Sequence, residues 1–218
     1  MALTLSIDLE APEEKALVLA AEVIQAGGLI VYPTETIYGI GSNALDRRGI
    51  IRIQALKRRP EPRPILVLVP NIGAVAQLVS ETTELARKLM ESFWPGPLTL
   101  VFRASAAVPT ELTQGNGTVG IRVPSSELCL RLLEMCECPI TSTSANLSGK
   151  TPLKSIAEMK KVLTPGIDLY LDAGVLPESK PSTVVDVTGD IPRLIRDGAV
   201  SVESLRSAVP DIIAEGIS

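Results

Sequence analysis

The sequence predicts an α/β fold. Helix-period stretches alternate with short apolar runs of strand length, and turn residues bound most of those runs. The composition agrees: 45% of the 218 residues are hydrophobic but only 3% are aromatic, so Val, Ile, Leu and Ala must fill the core. That length fits one domain and can bury a sizeable core. No internal repeat or low-complexity segment interrupts the alternation.

Pro12-Glu13-Glu14 opens a helix with Leu17, Val18, Ala21 and Ile24 on one face. Acidic residues suit its N-terminus, and Gly27-Gly28 ends it. Leu29 to Tyr32 reads as a short buried strand. Asp46 caps a second helix carrying Ile50, Ile51, Ile53 and Leu56, which runs into a basic cluster and stops at Pro60 and Pro62. Ile65 to Val69 is the next strand, apolar on both faces. Helices are expected near 72–79 and 81–92. Trp94-Pro95-Gly96-Pro97 is a rigid turn into the strand Leu98 to Phe102. A strand over 118–123, a helix over 126–136 and a strand over 139–143 follow. The C-terminal part reads as a helix near 155–163, strands near 168–172, 183–187 and 193–196, and a helix near 202–208. The segments 104–117 and 173–182 read as loops.

The chain has no histidine, which removes Ser-His-Asp triads, Cys-His dyads and histidine metal sites. Cys129, Cys136 and Cys138 form no C-x-x-C pair and read as free thiols. An odd set of cysteines without a framework fits a reducing cytosol, so a cytoplasmic location is expected. No apolar run reaches the ~18 residues of a membrane span, and the acidic N-terminus lacks a basic signal region. The net charge of -4 argues against general nucleic-acid coating. A local basic groove is still compatible with it.

Two polar stretches carry the chemistry: Lys57-Arg58-Arg59-Pro60, and the run Ser142-Thr143-Ser144-Ala145-Asn146-Leu147-Ser148-Gly149. Cations at a helix C-terminus complement its dipole, which is the bland reading of the first. The prolines that follow would instead fix the direction of Arg63, which suits recognition of phosphate or carboxylate. The hydroxyl run can cap the next helix, yet four hydroxyls and an Asn in seven residues exceed what one cap needs. It can also line a ligand cavity at the end of a sheet strand. Gly149-Lys150-Thr151 is not a phosphate-binding P-loop, because Ser144 stands where the pattern needs glycine and Pro152 interrupts the helix. TETIYGIG at 34–41 lacks the third glycine of a dinucleotide fingerprint. Arg122, among apolar strand residues, must meet an anion or reach solvent. With Ser182, Thr183 and Arg196 beside later strands, it suggests a concave site for an anionic ligand.

The motifs YPTETIYGIG (32–41), KRRP (57–60), WPGPLTLVF (94–102), TVGIRVP (118–124), TSTSANLSGK (141–150), STVVDVTG (182–189) and LIRDGAV (194–200) resemble, in order, those of the YrdC/TsaC family of threonylcarbamoyl-AMP synthases. The resemblance implies a twisted open mixed sheet flanked by helices, around a deep, positively charged cavity. It implies one such domain over 1–218, with the motif-bearing core at about 12–200. The implied enzyme is a nucleotidyltransferase that joins L-threonine, bicarbonate or CO2 and ATP, with Mg²⁺ on the phosphates. Its products are threonylcarbamoyl-adenylate and pyrophosphate, and a tRNA-modifying transferase complex downstream uses the adenylate to make threonylcarbamoyladenosine.

By motif position, Lys57, Arg59, Ser144 and Asn146 form the family's K-x-R and S-x-N pairs. Arg59, Arg63, Thr118, Ser144 and Arg196 are assigned to ATP. Thr36, Arg122 and Ser182 are assigned to threonine, with Thr141 and Ser142 lining the junction between the ligands. Three departures stand out: Arg58 where members often have Gly, Arg63 for Asn, and Leu68 where many have His, which removes one threonine contact. The chain ends soon after Arg196, without the linker and second domain of the long form. The alternatives are an RNA-binding module, using the basic stretch at 47–63, and a divergent paralogue with another carbamoyl-adenylate activity.

Overall fold

The computed structural model describes residues 2–57, 65–146 and 153–214. Ten strands form one twisted open sheet, flanked by helices on both faces. The strands are β1 (Leu3–Ser6), β2 (Ile30–Tyr32), β3 (Gly39–Gly41), β4 (Leu66–Leu68), β5 (Leu98–Arg103), β6 (Thr118–Arg122), β7 (Ile140–Ser144), β8 (Leu169–Asp172), β9 (Thr183–Asp186) and β10 (Arg193–Arg196). Their order is β1-β8-β2-β3-β7-β4-β6-β5-β9-β10. Near the middle, β7 pairs antiparallel with both β3 and β4. The hydroxyl-rich run therefore begins on a central strand. The mixed pairing fits the expected sheet: β2–β8, β4–β6 and β5–β9 are parallel, while β2–β3, β5–β6 and β9–β10 are antiparallel.

The helices are α1 (Glu14–Gln25), α2 (Arg47–Lys57), α3 (Glu84–Phe93), α4 (Thr110–Thr113), α5 (Glu127–Cys136), α6 (Ile156–Leu163) and α7 (Val202–Ala208), with a 3-10 turn at Ile72–Gln77. The expected helix near 72–79 is that 3-10 turn. The Asp46 carboxylate accepts from Arg48 N at 2.9 Å and opens α2 as a cap does. Three elements were not expected: β1, β3, and the single helical turn α4 inside the segment read as a loop.

Residues paired across a sheet share a face, so the register assigns side chains to faces. Val31, Ile40, Val67, Ile121, Leu100 and Val185 belong to one large apolar cluster. That cluster also takes Ile53 from α2, Leu89 from α3, Met159 from α6 and Leu205 from α7. The second face is divided. Ile30, Tyr32, Leu68 and Ile140 pack under α1 and α5 in a separate cluster. Arg122 pairs with Leu68, Gly120 with both Leu66 and Val101, and Arg196 with Val184, so these residues continue that second face. None of Arg122, Gly120 or Arg196 belongs to either apolar cluster. The polar part of the second face carries the candidate site.

Candidate active site

Arg122 ends β6 and is 2% exposed. Its Nη1 lies 3.5 Å from Glu35 Oε1, so the strand arginine does meet an anion, as its burial requires. Glu35 sits in the turn after β2, and a hydroxyl fixes that turn. Thr34 Oγ1 accepts from Thr36 N at 3.2 Å and Ile37 N at 3.1 Å, and lies 3.0 Å from Thr36 Oγ1. Beneath, the Tyr32 hydroxyl donates to Thr141 O at 3.2 Å, and burial raises its pKa well above the ordinary value. Cys129 stands beside this group, with its thiol pushed up to about 12, chiefly by burial.

Ser182 precedes β9 and is buried. Its hydroxyl lies 2.9 Å from Thr99 Oγ1. Arg196 stays open to solvent overall, but its guanidinium donates to Ser182 O at 2.7 and 3.1 Å and to Ser182 Oγ at 3.0 Å. Loss of hydration, and then the nearby charge of Arg122, lower the Arg196 pKa. Two guanidiniums that feel each other favour an anion between them. The approach of the strands here needs glycine: a Cβ on Gly198 would lie 2.4 Å from Pro181 O and 2.5 Å from Thr183 N.

Lys57 ends α2 and is 2% exposed. Its ammonium donates to Ser144 O and Asn146 O, both at 2.6 Å, and to Asn146 Oδ1 at 3.0 Å. Ser144 Oγ donates to Asn146 Oδ1 at 2.5 Å. Lys57, Ser144 and Asn146 are thus one unit, drawn from the end of a helix and the end of the central strand. Arg58, Arg59, Arg63, Gly149 and Lys150 lie outside the described residues.

The remaining expected residues are placed unevenly. Ser142 shares the Arg122 face through its pairing with Leu66, which in turn pairs with Gly120. Thr141 alternates to the other face, where its hydroxyl accepts from Ser42 N at 2.9 Å, so the structure does not bring it to Arg122. Thr118 is half-buried at the start of β6, with its hydroxyl on Asn116 Oδ1 at 2.9 Å. Thr36 is buried, and its carbonyl accepts from the Ser179 hydroxyl. It lines a cavity of about 430 Å³ with Tyr38, Leu153, Leu176, Ser179 and Pro181, next to Ser182. Leu68 is fully buried beside Arg122 in register. Glu35, Thr99 and Gly198 were not singled out from sequence, although each lies inside a quoted motif. In the basic stretch, Arg47 pairs with Glu111, Arg48 with Asp46 at 2.7 Å and Arg52 with Asp168 at 2.8 Å. These carboxylates offset much of the charge an RNA backbone would read.

The family model described as "Telomere recombination", which covers Sua5, YciO and YrdC domains, matches residues 22–198. The chain belongs to the Sua5/YciO/YrdC family. It is 38% identical over 200 residues to the threonylcarbamoyl-AMP synthase of Pyrococcus abyssi, covering 92% of this chain and 59% of that protein. The crystal structure of P. abyssi Sua5 with L-threonine superposes with a TM-score of 0.92 at 36% identity, over 97% of this chain and 62% of that one. A putative threonylcarbamoyl-AMP synthase of Mycobacterium tuberculosis is 35% identical over 205 residues, covering 93% of this chain and 94% of that one. Escherichia coli YciO superposes with a TM-score of 0.86 at 29% identity, over 94% of this chain and all of that one. This Sua5/YciO/YrdC chain therefore spans about three fifths of the archaeal protein and nearly all of the two bacterial ones.

Proposed function

We propose that the chain is a threonylcarbamoyl-AMP synthase, a nucleotidyltransferase that acts on L-threonine, bicarbonate or CO2, and ATP. The observation that carries this reading is Arg122, a buried cation on the open part of the second face, with Arg196 close enough to feel its charge. Such a floor suits a carboxylate and phosphates together. Relatives with that name, and a Sua5 structure complexed with L-threonine, support the choice of substrates.

The amine of threonine adds to CO2, forming a C–N bond and releasing a proton. The carbamate oxygen then attacks the α-phosphorus, the bond to the bridging oxygen breaks, and pyrophosphate leaves. A carbamate is already an anion, so this second step needs no strong base, which suits a chain without histidine. What it needs is alignment of two anions and fixed positive charge. We assign Arg122 to the amino-acid carboxylate, with Thr36, Ser142 and Ser182 around it and Thr141 behind. Arg59, Arg63, Thr118, Ser144 and Arg196 are assigned to ATP. Lys57 and Asn146 hold the strand end that presents Ser144. No group of three or more Asp, Glu or Cys among the described residues is placed to hold a metal ion. Mg²⁺ would enter with ATP and would supply charge neutralisation on the leaving pyrophosphate. The product is then passed to a tRNA-modifying transferase. No helix among the described residues is long and apolar enough to cross a membrane, and a cytoplasmic setting is part of this reading.

The test is pyrophosphate release with each component omitted in turn. Release should require ATP, bicarbonate and threonine together, and the adenylate should appear in equal amount. Release without threonine would mean that bicarbonate or water takes the adenylyl group, and would overturn threonine as a required substrate.

A further inference from the structure

Helix α5 ends in Cys136-Glu137-Cys138, and the residue between the two cysteines turns the chain back on itself. Glu137 caps the helix in the left-handed region, at φ 49° and ψ 23°, with its backbone N–H on Glu134 O. These angles mirror a tight helical turn, which sets the Cα atoms on either side at about 5.4 Å apart. A disulfide needs roughly 4.4–6.8 Å. An extended residue at 137 would part them to roughly 7 Å. The side chains come within reach of each other as well. The Cys138 thiol is lowered and the Cys136 thiol is raised, and in both the partner thiol is the largest cause. The pair is unequal in access. Cys136 is buried in the apolar cluster that α1 and α5 cover, with its carbonyl held by the Gln25 amide at 3.2 Å. Cys138 is half-buried at the rim of that cluster. An accessible thiolate with a resolving thiol beside it is the arrangement that reacts with a disulfide. Cys129 has neither feature: it is buried, its thiol is pushed up to about 12, and it donates to Pro33 O at 3.5 Å.

We propose that Cys136 and Cys138 are a redox modification site, a dithiol that a small-molecule disulfide such as oxidised glutathione converts to an intrachain disulfide. The Cys138 thiolate attacks one sulfur of the oxidant and expels a thiolate, which takes up the proton Cys138 gave to solvent. Cys136, on losing its own proton, attacks Cys138 Sγ and expels the second thiolate, which is protonated in turn. Two protein thiols are oxidised and one small disulfide is reduced to two thiols. The oxidant never has to reach Cys136, because Cys138 carries the sulfur to it. Under a reducing poise the pair returns to the dithiol.

The test incubates the full chain, folded and reduced, with excess oxidised glutathione. It then alkylates the denatured protein and maps the peptides by mass. The wild-type protein should lose the thiols of Cys136 and Cys138, end about 2 Da below its reduced mass and retain no glutathione. Cys129 should stay open to alkylation, and dithiothreitol should restore all the free thiols. Cys136→Ser should stop at the first step and hold one glutathione on Cys138. Cys138→Ser should react roughly 10-fold more slowly than Cys136→Ser, because its remaining thiols are buried. Melting curves check that both variants fold, and if either does not, the wild-type peptide map decides. A wild-type protein that keeps every thiol, that holds glutathione on Cys138, or that forms a bond between two chains overturns the proposal. Equal rates in the two variants overturn it too, because Cys138 is then not the point of entry.

Discussion

Gly198 shows how one missing atom positions a charge. Its Cα packs against the backbone of 181–183, where a Cβ would meet three backbone atoms within 2.6 Å. Backbone cannot swing aside as a side chain does. Gly198→Ala should therefore part β10 from Ser182, pull Arg196 off its carbonyl, and cut pyrophosphate release by roughly 10-fold or more. A steady-state assay beside a melting curve separates this from simple unfolding: the loss of rate should exceed what the unfolded fraction explains. Lys57 acts by a different route. Its ammonium gathers two carbonyls and an amide oxygen that lie 87 to 89 positions away in the chain. Lys57→Ala leaves those acceptors buried without their cation, a cost of about 2–3 kcal/mol. Release of pyrophosphate should fall by roughly 10²-fold, and Lys57→Arg should not restore it, because a planar fork does not match acceptors grouped around one point. Arg122 could be named from sequence because an arginine is out of place among apolar strand residues, the Lys57 cluster because fixed charge gathers at a helix end before a strand, and Ser182 because it stands at a strand end inside a family motif. That Lys57 meets Ser144 and Asn146 could not, since only strand pairing brings them together. Glu35 escaped because an acidic residue runs against the expectation for an anion site. Only the fold sets it beside Arg122, and no local pattern in the sequence shows that pairing.

Among the elements, those with a local cause were legible and those with a distant cause were not. α1, α5 and α6 carry apolar residues at helical spacing, β5 is a mostly apolar run entered by a Pro-Gly-Pro turn, and β6 alternates around Val119 and Ile121. β3 is Gly-Ile-Gly, a poor strand former by propensity. It is a strand because a Cβ on Gly41 would lie 2.6 Å from the Tyr32 ring, so only glycine lets it pair with β2. β1 exists because β8 offers it an edge. The site depends on both kinds, since β3 is the partner of Ser144. Downstream, Ser155 and Glu158 form a reciprocal capping box at the start of α6. Ser155→Ala should cost about 1 kcal/mol, which lowers the melting temperature by roughly 2–4 °C in a chain of this size. Turnover per folded molecule should not change. A large loss of activity would show that α6 also orients the segment before it.

Across the whole molecule, among the described residues, α2, α3, α6 and α7 pack on one face of the sheet and α1 and α5 on part of the other, and Arg122 and Arg196 lie on the stretch of that second face that neither apolar cluster takes in. Burial in both apolar clusters sets how stability depends on alkali. The Cys129 thiol and the Tyr38 hydroxyl are each pushed up to about 12, burial being the largest cause in both. In the unfolded chain they lose protons near their ordinary values, roughly 8.5 and 10. Above those values the unfolded state binds fewer protons than the native state, so stability falls as pH rises toward 12. Thermal unfolding followed from pH 8 to 11 should show this decline, and Cys129→Ala should make it shallower. A flat profile would mean that neither group stays protonated in the fold. Trp94, the one tryptophan of the sequence, is 7% exposed, with its indole N–H on Leu98 O at 2.6 Å. The turn it opens is bonded on both sides: Gly96 N donates to Val123 O and Thr183 N to Pro97 O, one residue beyond Arg122 and Ser182. The chain thus carries its own fluorophore beside the turn that joins the strand ending at Arg122 to the strand that follows Ser182. If the site is where we propose, its emission should follow occupancy in an unlabelled protein, in the same optical channel that follows denaturation.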